Sequence, residues 1–358
     1  MIELREATAA DAEGILAVST RNGFPPFSPG DLEKRWVSHP FRQEFEGVPN
    51  GWVLQSEEGT IVGTLSNVHM MYELGGERLK AVAAASWCVD TKYRNFSLRL
   101  MNAYFNQKGI QLWINGTAAE ITSRLLTAMQ VPRIPSPDYD LSLFWITAPR
   151  KFAEAALKKK KVPCVPAVAP VAGLAISISN LSAALRRKMP LPVQRFDAFG
   201  AEFDKLWQAI RSHGPCLRAI RSSAVLTWRF GEAIREKRAE VYGAMRGSEL
   251  IGYIVLKQFT RTHLGLRQYV IADLQAMDDD PDILQSLIAK AISATRDAGM
   301  AALEWQGWNA AKRRVALALR PRRYRYPIWP LFYKADGPEL TNTLADPEAW
   351  DFSLFDAF

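Results

Sequence analysis

Ala81 to Asn115 reads AVAAASWCVDTKYRNFSLRLMNAYFNQKGIQLWIN. Residues 81–90 are small, apolar and partly β-branched, the pattern of a strand covered on both faces. Thr91 to Ser97 is polar and reads as a turn. From Leu98 to Gln107 the apolar residues fall at 98, 100, 101, 104 and 105, a helical spacing. Gly109 is placed to end that helix, and Ile110 to Ile114 reads as a second buried strand. A strand that turns directly into a helix N-terminus favours an anion, because unpaired N–H groups and the helix dipole face the turn. Arg94 and Arg99 add two full charges there, so a polyphosphate is the expected guest.

Upstream, Ile2 to Ala7 alternates as a strand, Asp11 to Thr20 carries a helical stripe, and Asp31 to Ser38 is a second short helix. Residues 52–55 and 60–72 flank the acidic turn Glu57-Glu58-Gly59 as a hairpin, which Gly75-Gly76 joins to the central strand. Downstream, Ala118 to Met129 reads as a helix and Leu141 to Ile146 as a last strand. The second half repeats this order. Phe203 to Ser212 and Ser222 to Phe230 stand where the first two helices stand, with Trp228 at the place of Trp36. Gly247 to Ile254 resembles Glu58 to Leu65, which pairs Gly252 with Gly63. Arg267 to Ala276, Pro281 to Ala298 and Ala301 to Trp305 repeat strand, helix and strand. The expected fold class is mixed α/β (α+β): two tandem domains, 1–155 and 191–340, joined by 156–190 and followed by a tail, 341–358. Each domain is expected to be a mixed central sheet flanked by helices.

Val89-Asp90-Thr91-Lys92-Tyr93-Arg94-Asn95-Phe96-Ser97-Leu98-Arg99 resembles the acetyl-coenzyme A loop of the GNAT acyltransferases, V-D-P-x-Y-R-G-x-G-(L/I)-G. Val, Asp, Tyr and Arg match in register. Asn95, Ser97 and Arg99 stand where glycines are usual. The order of elements is also that of the GNAT fold, here twice. The resemblance implies acetyl-CoA or another acyl-CoA as cosubstrate. It assigns the pantetheine contact to the strand at Cys88 and Val89, and the pyrophosphate to Arg94, Asn95, Phe96, Ser97, Leu98 and Arg99. Asn115 matches a polar residue that often touches the pantetheine arm; read by itself, Asn115-Gly116-Thr117 is equally a turn and helix cap. The second copy has LQAMDDDPDILQS at this place, with no glycine, no arginine and three consecutive aspartates, which repel a pyrophosphate. It is expected to be degenerate.

The usual leaving-group tyrosine is missing from the helix after the second strand, AAEITSRLLTAM, where Thr122 and Ser123 are poor acids. His69 on the long strand and Tyr139 before the last strand are the candidate catalytic residues. His69 reads equally well as a half-buried strand histidine. Cys88, central in an apolar strand, reads as an inert thiol rather than a nucleophile.

With 358 residues, 48% of them hydrophobic and 11% aromatic, the chain can bury two cores, which excludes disorder. A net charge of +8 permits nucleic acid, acidic membrane or polyphosphate partners and selects none. Three scattered cysteines and four histidines form no disulfide framework or zinc site, so no metal is expected. The acidic, amphipathic N-terminus lacks a signal-peptide pattern, and a cytoplasmic location is expected. Lys158 to Leu191 opens on four lysines, is expected to be extended through Pro163, Pro166 and Pro170, and holds an apolar run, Val171 to Leu185, flanked by basic clusters. It reads as a packed linker helix with membrane-surface contact through 158–188 as the alternative. The arginine- and tyrosine-rich stretch 305–332 reads as a helix and a last hairpin, so nucleic acid is not an expected partner. The expected partner is a small-molecule amine, for instance an amino sugar or an amino-acid-like acceptor. The reading is an acyl-CoA-dependent N-acyltransferase whose first copy holds the coenzyme. The alternative is a non-catalytic ligand-binding or structural protein built from two degenerate copies.

Overall fold

Two seven-stranded sheets organise the chain in a computed structural model. It describes residues 2–356 except 26, 117–119, 185–188, 212–215, 263–264 and 329. The basic cluster Arg186-Arg187-Lys188 and the expected start of a helix at Ala118 lie outside the described residues. The first sheet contains β1 (Ile2–Glu6), β2 (Gly51–Ser56), β3 (Ile61–Leu74), β4 (Glu77–Val89) and β5 (Leu112–Asn115) in spatial order, and then β14 (Phe332–Ala335). The second runs from β7 (Val193–Phe196) through β9 (Ala239–Arg246), β10 (Glu249–Arg261), β11 (Leu266–Ala276) and β12 (Ala302–Trp305) to β6 (Leu141–Ile146) and β13 (Arg322–Arg325).

The helices follow the same repeat. The first half supplies α1 (Ala12–Arg21), α2 (Pro29–Trp36), α3 (Ser97–Phe105) and α4 (Glu120–Ala128). The second supplies α7 (Ala201–Arg211), α8 (Ser223–Arg235), α9 (Pro281–Asp297) and α10 (Ala310–Ala318). The glycine pairing holds at the level of register. Gly63 lies opposite Val89 and Gly252 opposite Ala276, each at the last rung before the turn into a helix. A Cβ at Gly63 would sit 3.0 Å from Val89 Cγ2, and one at Gly252 only 2.5 Å from Ile283 Cγ2. Both positions are crowded, Gly63 by side chains of the neighbouring strands and Gly252 by the α9 side chain and the β11 backbone.

Two strands are exchanged between the copies. Leu141–Ile146 does not close the first sheet, as the sequence order suggests, but pairs antiparallel with both β12 and β13 of the second. Its inward residues Leu141, Leu143 and Trp145 are buried in the second core, and Trp145 Nε1 donates to Leu319 O. In return β14 leaves the second half and pairs with β5. The expected last hairpin is therefore absent: β13 and β14 lie in different sheets. The exchange is possible because both strands are antiparallel to the strand they join, so either copy can supply the partner. A third stitch is β8 (Arg218–Ala219), which pairs with Tyr72 and Glu73 at the far end of β3. The largest core is accordingly continuous across both halves.

The join consists of α5 (Pro149–Lys159) and α6 (Val165–Ala184), packed together so closely that a Cβ at Gly173 would lie 3.0 Å from Arg150 Cα. α6 begins earlier than the apolar run and carries Pro170 inside it. Val171, Leu174 and Ile178 face out from it. Among the described residues, no helix is long and apolar enough to cross a membrane. The tail folds back: α11 (Pro338–Leu344) is followed by Trp350, Phe352 and Phe355, all buried in the shared core.

Candidate functional site

The quoted stretch forms a fork. β4 pairs in parallel with β5 only over Ala81–Ala83, opposite Leu112–Ile114. Beyond that rung the two strands part, while on its other edge β5 pairs with β14 along its whole length, Asn115 opposite Phe332. β4 is also bulged. Thr64 faces Cys88 and Ser66 faces Ala85, so Ser86 and Trp87 together oppose Leu65, with Ser86 at φ 51°. A bulge bends its strand, and here it turns β4 away from β5. Tyr104 of α3 is fully buried at the point of divergence, its hydroxyl 2.9 Å from both Val82 O and Ile114 O. The parted backbones offer amide edges to an extended guest, with Asn115 buried beside the opening.

Beyond the bulge, Thr91–Phe96 coils as a 3-10 helix that runs straight into α3. This differs from an open loop. The N–H groups of Tyr93 and Ser97 are spent on Asp90 O and Arg94 O, so fewer amides face outward than the sequence suggests. Asp90 is turned toward α1, where it accepts from Arg21 and Asn22. No side chain caps α3. Arg94 and Asn95 are exposed, as is Leu98, while Phe96 and Ser97 are half-buried. Arg99 is held elsewhere: it donates to Ile2 O at 2.7 Å and lies over the Phe96 ring.

The remaining candidates are dispersed. Val89 is buried in the main core. Cys88 faces α1, packed with Ile15, Val18 and Val53, and burial pushes its thiol up to about 12. His69 lies opposite Val82, on the closed side of the fork, about 13 Å along the strand from the bulge. Its ring stacks on Phe45 with centroids 4.6 Å apart, and Nε2 is 3.4 Å from Pro49 O. Burial lowers His69 to about 4. His39, 6.2 Å away, falls to about 4 through burial and the proximity of His69. His69 lines a cavity of about 680 Å³ together with Trp36, Phe45, Glu46 and Asn50. Tyr139 sits in the turn before β6, whose Asp138 and Asp140 pair with Arg325. That turn belongs to the second sheet, so Tyr139 and His69 are not brought together.

In the second copy the turn of the equivalent fork is occupied by charged side chains, while Val270, Ala272, Glu304 and Gln306 at the parting strands line a cavity. Pairing of β11 with β12 stops at Val270 and Glu304, and a register shift marks the same bulge. Here the acidic turn is consumed. Asp280 caps α9 by accepting from the N–H groups of Asp282 and Ile283. Asp279 lies 3.7 Å from Lys312 and 3.5 Å from Arg218. Lys312 on α10 reaches Gln275 of β11 and, at 2.6 Å, Asp351 of the tail. Ser353 bridges to Gly307, at the end of β12. Burial works against the charge on Asp351, but Lys312 and Arg218 hold its carboxyl well below the usual range. Behind it, Arg221 and Asp273 form an ion pair at 2.9 Å, both buried, which Tyr253 joins by donating to Asp273. The spacing of Lys312 and Asp351 carries no local pattern, and the sequence reading missed them. Tyr104, by contrast, was visible as one apolar position among five.

Two bulged, forked sheets with a helix springing from each fork define the class: this chain has the GNAT fold, built as two copies. Solved structures agree. The chain is similar to a GCN5-related N-acetyltransferase from Anabaena variabilis ATCC 29413, at 14% identity and TM-score 0.58, over 94% of this chain and 73% of that one. A GCN5-related N-acetyltransferase from Kribbella flavida aligns over 94% and 72% at 12% identity and TM-score 0.57. Saccharomyces cerevisiae N-myristoyltransferase with bound myristoyl-CoA aligns over 93% and 83% at 11% identity and TM-score 0.51. No protein-family model and no curated protein matches the chain. At these identities the likeness shows the fold alone.

Proposed function

We propose that the chain is an acyl-CoA-dependent N-acyltransferase whose first copy alone holds the coenzyme. The observation that carries this reading is the asymmetry of the two forks. In the first, Asp90 is turned away and Arg94 is exposed beside the helical turn. In the second, Asp280 caps the helix and Lys312, Asp351 and Arg218 occupy the turn with buried ion pairs. The amides of an extended pantetheine arm would pair with the parted edges of β4 and β5 beside Asn115, and Arg94 would meet the pyrophosphate. The acceptor is proposed to enter from the cavity at His69, about 13 Å along β3 from the bulge, so that its amine must extend toward the fork to meet the thioester. The His69 imidazole, neutral at pH 7, can accept a hydrogen bond from a donor on the acceptor, and Arg42 and Glu46 line the same cavity with opposite charges. In the reaction the amine nitrogen attacks the thioester carbonyl carbon, the C–S bond breaks, and the amine proton leaves with the thiolate.

Isothermal titration with acetyl-, butyryl- and myristoyl-CoA tests the binding step, and release of free thiol in the presence of a panel of amines and amino sugars tests the chemistry. One site per chain, with thiol release that depends on an amine, is expected. Two equivalent sites would contradict the occupied turn of the second fork. Saturable binding with no thiol release for any amine would favour the non-catalytic reading, for which the missing tyrosine on α4 already speaks.

A further inference from the structure

The helix that joins the copies leaves a stripe of large apolar residues in water. A helix on the surface of a folded chain turns such residues toward the core. The packed face of α6 is built instead around Ala169, which is buried, and Gly173, which meets the α5 backbone at Arg150, while Asn180 donates to Ile146 O of β6. On the opposite face Val168 is 39% exposed, Val171 70%, Leu174 61% and Ile178 60%. At helical spacing these four form one line along the helix. The setting of this stripe is cationic. From Ala155 to Phe196 the sequence has no aspartate or glutamate, and it carries Lys158 to Lys161, Arg186, Arg187, Lys188 and Arg195. Glu154, the last carboxylate before that stretch, is paired with Arg150. Lys158 to Lys161 are exposed at the turn that leads into α6. Toward the other end of the helix, Arg322 of the exposed strand β13 donates to Ser179, the residue after Ile178.

We propose that α6 and its basic flanks dock this protein on an anionic bilayer surface, with the helix lying in the plane of the interface. Aliphatic side chains that enter the acyl boundary, and lysines and arginines that meet anionic headgroups, are two signals that together give reversible membrane binding. The helix does not cross. Pro170 lies inside it, and among the described residues no helix is long and apolar enough to span a membrane. A second copy of the chain is a poor occupant, because it would set two carboxylate-free cationic stretches against each other. Protein interfaces are anchored chiefly by aromatic and arginine side chains seated in pockets, whereas this stripe is wholly aliphatic. The surface shares no residue with the turn at Arg94 or the cavity at His69, so it does not depend on the proposed acyl transfer.

Sedimentation of the full chain with vesicles tests this, one set of phosphatidylcholine alone and one an equal mixture of phosphatidylcholine and phosphatidylglycerol. The chain should bind the mixed vesicles and not the neutral ones, and 0.5 M salt should weaken binding, since the Debye length falls to about 4 Å. Replacing Lys158 to Lys161 together by glutamine should weaken it at least about fiftyfold, each lysine near an anionic surface being worth about fivefold. Leu174→Ser with Ile178→Ser should weaken it at least about tenfold through the lost apolar insertion, with the charge unchanged. Both variants should keep the wild-type urea midpoint, because the replaced residues are exposed. A lowered midpoint in the Leu174 and Ile178 variant would mean that the stripe is covered within the fold, and would overturn the proposal. Mixed-vesicle binding that this variant retains in full would reduce the effect to the net charge of +8, with the same consequence. A concentration-dependent dimer that the variant dissociates would make a second copy the occupant instead. No binding to the mixed vesicles would leave the stripe to a protein partner and equally overturn the assignment.

Discussion

Two arginines five positions apart were equivalent in the sequence and are not equivalent in the structure. Arg94 is exposed beside the turn, whereas Arg99 is tied to the carbonyl of Ile2 at the start of β1. A charge-assisted contact to a phosphate is worth about 1.5–3 kcal/mol. Arg94→Ala should therefore weaken acyl-CoA binding by roughly ten- to a hundredfold, read by isothermal titration. Arg99→Ala should change that affinity less than about threefold, because its head group serves the sheet edge rather than the turn. Equal losses in the two variants would show that Arg99 swings to the phosphate on binding. Tyr104 is the residue on which the fork itself depends. Tyr104→Phe keeps the ring and removes the hydroxyl between Val82 O and Ile114 O, at a cost of about 1–2 kcal/mol. Urea unfolding should show that cost with an unchanged slope, and no change would mean that the bulge alone holds the strands apart. His69 shows why side-chain roles were hard to read from a pattern: alternation along β3 gives a face, but not whether that face meets the fork or the joint with the second half.

At the scale of elements the repeat was legible because each copy carries its own local signals. Gly63 and Gly252 mark the same tight rung, and the hairpin turns at Gly59 and Gly247 both require positive φ, 81° and 61°. The strand exchange was not legible. LSLFWI and FYKA are ordinary buried strands, and nothing in their own residues says which copy's sheet they complete. The choice is made by the edge that each finds, a long-range pairing with no sequence period. The charged edge strand Arg322–Arg325, exposed throughout, shows the consequence. Part of the arginine- and tyrosine-rich stretch is this outer strand, with Arg325 held by Asp138 and Arg322 by Ser179, and such charges discourage further strand pairing. The exchange predicts that residues 1–155 do not fold alone. They would leave β5 an open edge and β6 with no partner, since β12 and β13 lie beyond residue 155. Near-ultraviolet circular dichroism of that fragment should lack native signal, and co-expression with 156–358 should restore it. A cooperative unfolding transition from the isolated fragment would sink this account.

For the whole molecule, the joint between the copies is where pH should act. α2 and α8, equivalent helices, meet there: Trp228 Nε1 donates to Lys34 O at 3.0 Å, and His39 packs edge-on against Trp228 with centroids 4.7 Å apart. His39 and His69, both buried at this joint, are lowered from 6.5 to about 4. A base with a depressed folded value stabilises the fold fully above its unfolded value of about 6.5 and loses that contribution as pH falls through about 4. Asp356 lies on the other side of the same region, where Tyr72 donates to it at 2.9 Å, and burial raises it to about 6. An acid with a raised folded value acts in the opposite sense: its relative stabilisation grows as pH falls below 6. Two histidines outweigh one carboxyl, so lowering the pH from 7 to 4.5 should cost on the order of 3 kcal/mol net. His69→Gln should flatten the stability profile between pH 6.5 and 4, and Asp356→Asn should steepen it by removing the opposing gain. Urea midpoints at pH 7 and 4.5 for the three proteins provide the comparison. A wild-type profile that is flat over this range, or a His69→Gln profile as steep as the wild type, would mean that the histidines reach solvent on protonation and that the joint does not close over them.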